Sequence, residues 1–201
     1  GGDSAIIDAD PDYYRCSFGL TAGGAVYAWG SGRLGNGTTG SSNIPVRVLK
    51  GEQTESTTYL GDAGGDAKIV AIHATIHSQY NGGSVFTVTA GGAVYSWGYN
   101  GYGQLGINST TDALSPVRVL KGAQTESATY LGDAGGDSAI IAVSSGGNRA
   151  MALTAGGAVY CWGENTYGQL GDGTTTNRWV PTRVLKGEQS ESTTYLGDAG
   201  G

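Results

Sequence analysis

Thr21-Ala-Gly-Gly-Ala-Val-Tyr-Ala-Trp-Gly30 is the stretch that decides the fold. It returns as Thr89-Ala-Gly-Gly-Ala-Val-Tyr-Ser-Trp-Gly98 and as Thr154-Ala-Gly-Gly-Ala-Val-Tyr-Cys-Trp-Gly163. Each copy reads as the end of one strand, a Gly-Gly turn that tolerates positive φ, and a second strand rich in β-branched and aromatic residues. In that second strand Val26 points one way while Tyr27 and Trp29 point the other, so both faces are apolar. A half-solvated strand alternates with polar residues, so this one is expected to be covered on both sides. Tyr27, Trp29, Tyr95, Trp97, Tyr160 and Trp162 are the predicted structural core.

Outward from the hairpin, the chain is a repeat. The tryptophans Trp29, Trp97 and Trp162 recur at spacings of 68 and 65 residues, and a Gly-Gly pair closes each unit at Gly65, Gly136 and Gly201. The units are residues 1–65, 66–136 and 137–201. In the third, residues 139–143, 150–154 and 158–162 read as strands, and Pro181 opens a fourth. Four short strands joined by glycine turns predict an all-β chain of propeller blades, and the 38 glycines of this 201-residue chain suit that architecture. Lengths vary before the hairpin and between Trp-Gly and the proline. Insertions therefore collect in two loops, which in repeat proteins commonly carry the binding surface.

The stretch after the proline barely varies. Residues 46–65 and 117–136 agree at 18 of 20 positions, as do 46–65 and 182–201. Segments that drift this unequally point to a constraint on the tail. Val-Arg-Val-Leu followed by Lys-Gly and a second β-prone run predicts an extra hairpin per repeat. Exposed edge strands invite pairing with another chain, which makes Tyr59, Tyr130 and Tyr195 candidate assembly positions.

Composition narrows the function classes. The net charge of −6 lacks the basic footprint of a nucleic-acid binder. No apolar run approaches the roughly 20 residues needed to span a bilayer, so membrane insertion is not expected. Cys16 and Cys161 sit at non-equivalent positions and read as two lone thiols.

Leu153-Thr-Ala-Gly-Gly-Ala-Val-Tyr-Cys-Trp-Gly-Glu-Asn-Thr-Tyr-Gly-Gln-Leu-Gly-Asp-Gly-Thr-Thr-Thr176 resembles the regulator of chromosome condensation repeat, marked by a hairpin followed by Trp-Gly-x-Asn-x-x-Gly-Gln-Leu-Gly. The second unit carries the motif from Trp97, and the first a shortened form, Trp29-Gly-Ser-Gly-Arg-Leu-Gly35. The resemblance implies β-propellers, commonly of seven blades, used for protein interaction rather than catalysis. Its members include a nuclear exchange factor, a secreted inhibitor of β-lactamases and bacterial surface arrays. The family's usual Gly-x-x-His before the hairpin is replaced by Gly146-Gly147-Asn148-Arg149 and by Tyr13-Tyr14-Arg15-Cys16, so the exchange-factor role gains no support.

Other patterns have plainer explanations. Residues 30–35 and 101–106 satisfy Gly-x-Gly-x-x-Gly, yet neither opens a helix as a dinucleotide site requires. His73 and His77 have metal-like spacing but lack a third ligand, and are expected in a solvated insertion over residues 70–83 with Tyr80. Asp62/Asp66 and Asp133/Asp137 flank Ala-Gly-Gly as calcium loops do, although turn formation suffices to explain them. No cofactor is expected. Asp10, Asp12, Tyr13, Tyr14 and Arg15 form the other candidate interaction loop, and Asn36 and Asn108 fit the N-glycosylation pattern.

The chain opens at Gly1-Gly2-Asp3 and ends at the same phase of its repeat, which predicts a piece of a longer periodic protein or a filament protomer. The expected function is that of a non-enzymatic, extracellular or cell-surface structural protein, self-assembling through blade faces and tails into a filament or array. The alternative is a propeller module, part of a closed seven-blade ring, that recognises another surface protein through its variable loops.

Overall fold

A computed structural model describes residues 4–11, 15–75, 83–127, 129–188 and 194–197. Three four-stranded antiparallel sheets follow one another along the chain. The first holds β1 (Ile6–Pro11), β2 (Cys16–Thr21), β3 (Val26–Gly30) and β4 (Ser42–Arg47). The second holds β5 (Ile69–Ala74), β6 (Ser84–Thr89), β7 (Val94–Gly98) and β8 (Ala113–Arg118). In the third are β9 (Ile140–Gly146), β10 (Arg149–Thr154), β11 (Val159–Gly163) and β12 (Arg178–Arg183). In each sheet the strands lie side by side in sequence order, as in a propeller blade.

The repeated hairpin owes its shape to two residue types. The second glycine of each pair is left-handed, with φ of 91° at Gly24 and 88° at Gly92 and Gly157. The threonine closes the turn: the Thr21, Thr89 and Thr154 Oγ1 atoms accept the amides of Ala25, Ala93 and Ala158, each at 3.0 Å. Leu20↔Val26, Val88↔Val94 and Leu153↔Val159 are the first strand pairs beyond it.

Some expected boundaries shift. Pro45, Pro116 and Pro181 each occupy the fourth position of the last strand rather than opening it. They fall where the register slips, between Ala28↔Val46 and Gly30↔Ser42 in the first blade. An edge strand at a bulge tolerates a residue without an N–H. The strand expected at 139–143 runs from Ile140 to Gly146. His73 lies in β5 and Asp10 in β1, not in loops. Between β5 and β6 the variable stretch therefore starts after Ala74, so a deletion of 70–83 would remove most of a strand. Among the described residues the tail pairs back through one antiparallel bridge per repeat, Leu49↔Tyr59, Leu120↔Tyr130 and Leu185↔Tyr195, where a longer hairpin was expected.

The core is built between blades. One cluster joins Phe18, Leu20, Val26 and Ala28 of the first blade to Val85, Tyr95 and Trp97 of the second. The other joins Phe86, Val88 and Val94 to Tyr160 and Trp162 of the third. Trp97 meets Phe18 edge-on at 6.1 Å between ring centroids, and Trp162 meets Phe86 at the same distance. Each junction thus sets the tryptophan face of one blade on the phenylalanine face of the blade before it. Trp97 and Trp162 are 0% exposed, whereas Tyr27 and Trp29 are only half-buried because no described blade lies on the tryptophan face of the first.

Candidate interaction site

The constant tail makes its contacts within and between blades. Arg47 of β4 lies between two tyrosine rings, 5.2 Å from the Tyr27 centroid and 4.8 Å from that of Tyr59. Arg118 repeats this between Tyr95 and Tyr130, and Arg183 between Tyr160 and Tyr195. A guanidinium over an aromatic face gains about 0.5–2 kcal/mol per ring, more as water is excluded. Asp62 and Asp133 pair with the same Arg47 and Arg118 guanidiniums. The tail tyrosines read as assembly positions are therefore lids on arginines, and the first aspartate of each calcium-like pair already has a cation. Among the described residues no group of three His, Cys, Asp or Glu side chains is placed to hold a metal ion.

A buried glutamine organises each described tail. Gln53 accepts the Ser56 hydroxyl at 2.5 Å and the Gly61 amide at 2.7 Å, and donates to the Ala67 carbonyl at 2.7 Å. Gln124 makes the same three bonds to Ser127, Gly132 and Ser138. Ala67 and Ser138 lie at the entrance to the next blade, so the amide ties the tail across a junction. The Glu52 amide donates to the Pro116 carbonyl at 3.0 Å and the Ala123 amide to the Pro181 carbonyl at 2.8 Å, again on the next blade. The Glu52 carboxylate also accepts the Arg118 amide at 2.7 Å.

The sequence motif after the tryptophan is likewise structural. Asn100 and Asn165 are fully buried, and each holds its loop together. The Asn100 side chain donates to the Ser109 and Thr111 carbonyls and accepts the Leu105 amide. In the third blade Asp172 accepts from Thr174 and from Arg178 Nε at 2.6 Å. Burial works against its charge, but these hydrogen bonds and the arginine outweigh it and hold the carboxyl below its ordinary range.

The candidate loop residues separate into two groups. Asp10 and His73 meet where three blades converge. His73 Nδ1 lies 3.7 Å from the Asp10 carboxylate, and its Nε2 is 3.2 Å from the Ser145 carbonyl. The same Asp10 carboxylate accepts the Ala74 amide at 2.7 Å. This contact joins β1, β5 and β9 and is not a solvated loop. Arg15 is exposed just before β2. Asp12, Tyr13, Tyr14, His77 and Tyr80 lie outside the described residues. Asn108 is exposed with φ of 56°, and Asn36 is half-exposed. Cys16 and Cys161 are both buried; burial pushes the Cys161 thiol up to about 11, with the Arg149 charge pulling the other way.

Three surfaces stand out by their exposure. Tyr167, in the loop between β11 and β12, is 90% exposed. The phenylalanine face of the third blade carries Met151 at 46% and Leu153 at 36% exposure, where the equivalent Phe18 and Phe86 are closed off. The opposite end of the array has a concavity of about 590 Å³ lined by Ile6, Thr21, Tyr27, Trp29 and Pro45. Repeat-equivalent residues thus differ in exposure only through what lies on them.

Comparison with known proteins agrees with this architecture. The family model described as the regulator of chromosome condensation (RCC1) repeat matches residues 91–153 and 156–194. The chain is 31% identical over 172 residues to the human E3 ubiquitin-protein ligase HERC2, covering 83% of this chain and 3% of that protein. It is 30% identical to the ultraviolet-B receptor UVR8 of Arabidopsis thaliana, covering 81% of this chain and 42% of the receptor. Yeast RCC1 (Prp20), solved bound to Kap60, superposes with a TM-score of 0.63 at 16% identity over 93% of this chain and 38% of that one. The chain thus spans less than half the length of each.

Proposed function

This chain belongs to the regulator of chromosome condensation (RCC1) repeat family, and we propose that it is a non-catalytic β-propeller segment that binds a protein partner through its variable loops. The observation that carries this reading is the division of its aromatic residues. The tyrosines of the hairpin and tail stack on arginines, whereas Tyr167, on a loop between strands, is 90% exposed. An exposed aromatic side chain offers a large apolar contact at small entropic cost, and tyrosine is enriched among residues that dominate interfaces. Yeast RCC1 (Prp20), a neighbour in fold, is a protein solved in complex with another protein. The test is affinity capture with the wild-type chain and Tyr167→Ala side by side. A partner held by the first and weakened about 30-fold in the second is expected for a ~2 kcal/mol contact. Equal retention of every bound protein by the two would overturn the loop reading.

A second reading is favoured by a different observation, that the blades hold to one another through apolar faces wherever two of them meet. In it the chain is a structural protein that self-assembles, at the cell surface or outside the cell. Electron microscopy of the purified chain is expected to show filaments or rings, and particles of single-chain size alone would end this reading. Proteolysis of intact cells checks the location, since a surface protein is cleaved without lysis.

A further inference from the structure

We infer that the bulged first strands of the blades form a docking surface for a protein segment that presents aliphatic side chains flanked by lysine or arginine. The inference goes beyond the loop reading, because this surface is built by strands and not by the loops of variable length. In each blade the first strand slips by one residue at the same register. Next to the pairs Ile6↔Thr21, Ile69↔Thr89 and Ile140↔Thr154 stands one residue with no cross-strand partner: Ile7, Val70 and Ile141. A β-bulge leaves its extra residue outside the ladder and re-aims its side chain. The strands β1, β5 and β9 contact one another from blade to blade, so the three bulges make one row.

All three residues are β-branched and aliphatic, and all are exposed, at 58%, 44% and 56%. The middle one decides what that exposure means. Val70 belongs to the second blade, which packs on the first at one face and on the third at the other, and it is still open. Ile69, one residue earlier, is fully buried. The opening at the bulge is therefore a property of the repeat and not of either end of the sequence. A single exposed isoleucine is ordinary on a protein surface, whereas an equivalent apolar residue in three successive blades is a patch.

The charges beside the row specify the partner. Asp8 follows Ile7 directly, and Asp66 and Asp137 stand in the 3-10 turns that lead into β5 and β9, four residues before Val70 and Ile141. All three aspartates are exposed, and none is in an ion pair among the described residues. Across residues 5–8, 65–71 and 136–142 the only basic residue is Lys68. Burial draws apolar side chains to the row, and the carboxylates draw cationic ones. The same field repels phosphate-bearing partners such as anionic lipid or nucleic acid.

The test is fluorescence anisotropy with three labelled octapeptides, of alternating Leu-Lys, Leu-Glu and Ser-Lys, titrated with the whole chain. The Leu-Lys peptide is expected to bind at least about tenfold more tightly than the other two, and about tenfold more weakly to the triple variant Ile7→Thr, Val70→Thr, Ile141→Thr. Threonine keeps the β-branch at exposed positions, and circular dichroism checks that the variant folds. Should it not, Val70→Thr alone is expected to weaken the Leu-Lys peptide about threefold. Ile44→Thr, at a 65% exposed isoleucine of β4, is the control and keeps the wild-type affinity. No binding of the Leu-Lys peptide, a preference for either other peptide, equal affinity for the wild type and the bulge variants, or an equal loss in Ile44→Thr overturns the inference. Each of these results leaves the loop reading to its own test, since Tyr167 is intact in every variant.

Discussion

Replacing Gly51 by alanine should destabilise the chain more than replacing Gly64, although both glycines sit in one tail and both have positive φ. Their φ values are 56° and 67°, and with ψ of −161° Gly64 lies in the extended positive-φ region; a side chain held at such positive φ costs about 1–3 kcal/mol. Around Gly64 no described residue lies within 4 Å of an added Cβ, and that cost is the whole effect. At Gly51 the new Cβ would stand 1.8 Å from the Pro116 oxygen, 2.7 Å from its carbonyl carbon and 2.9 Å from its Cα, where ordinary contact begins at 3.4 Å. All three atoms are backbone, so the tail itself must retreat. That retreat strains two bonds across the junction, from the Glu52 amide to Pro116 and from the Arg118 amide to the Glu52 carboxylate. A neutral bond contributes about 1 kcal/mol and one to a charged group about 1.5–3 kcal/mol. Gly51→Ala should therefore cost roughly 4–7 kcal/mol against about 1–3 for Gly64→Ala. At about 2–4 °C per kcal/mol for a chain of this size, the melting midpoints should separate by at least about 5 °C. Thermal and urea unfolding followed by circular dichroism read the difference. Two variants within 1 °C of each other would refute the claim that the first tail is clamped against the second blade.

Alkaline titration probes the same junction. Burial raises the Tyr95 phenol from its ordinary 10.0 to about 12, against the opposing pull of the Arg118 charge. An unfolded chain releases that proton first, so this contribution is complete below pH 10 and falls as the pH rises toward 12. Urea midpoints measured across that window should decline, and Tyr95→Phe should flatten the decline; an unchanged slope would remove Tyr95 from the account. Cys161, buried with its thiol near 11, should resist alkylation at pH 8 in native buffer and react on denaturation. Mass spectrometry of the modified chain reads this, and rapid native labelling would contradict the burial. Trp162→Ala should cost about 3–5 kcal/mol as a fully buried indole, while Trp29→Ala, on the uncovered face, should cost well under half of that in dilute solution. Comparable urea midpoints for the two would mean that the first blade's face is covered in the monomer.

The hairpin was legible because its determinants are local. A threonine that closes the turn on an amide four residues on, and a glycine that accepts positive φ, are chosen by residues in contact along the chain. The proline was misread as a strand start for the complementary reason, since its tolerance depends on a bulge that only the pairing of β3 with β4 creates. His73 reads as a loop residue because it falls in the stretch before the hairpin whose length varies from repeat to repeat. Its imidazole is instead accommodated by Asp10 and Ser145, residues of other blades far away in sequence. Trp29 matched its two counterparts residue for residue and still differs in exposure, because burial belongs to the junction and not to the residue. The constancy of the tail was visible, but not its cause. The Pro116 carbonyl that forbids a side chain at Gly51 lies far along the chain, and nothing near Gly51 announces it.

That cause also explains why constancy and variability divide as they do. A tail residue such as Gln53 answers to three groups at once, two in its own tail and one at the entrance to the next blade. A change there leaves a buried amide or carbonyl unpaired, at about 1–3 kcal/mol each. Gly51 and Arg47 are tied as tightly, one by the backbone of the neighbouring blade and the other by two rings and a carboxylate. Every tail position that reaches the next blade helps set the angle between blades, so an error would be copied into each junction that reuses the sequence. The loop bearing Tyr167 carries no such obligation at its tip, where an exposed ring can be exchanged with little effect on the fold. A protein that must hold a fixed scaffold while offering changeable contacts is best served by this partition. The tail keeps one sequence because each copy answers to the next blade in the same way, whereas the exposed Tyr167 ring answers to no described residue of the fold.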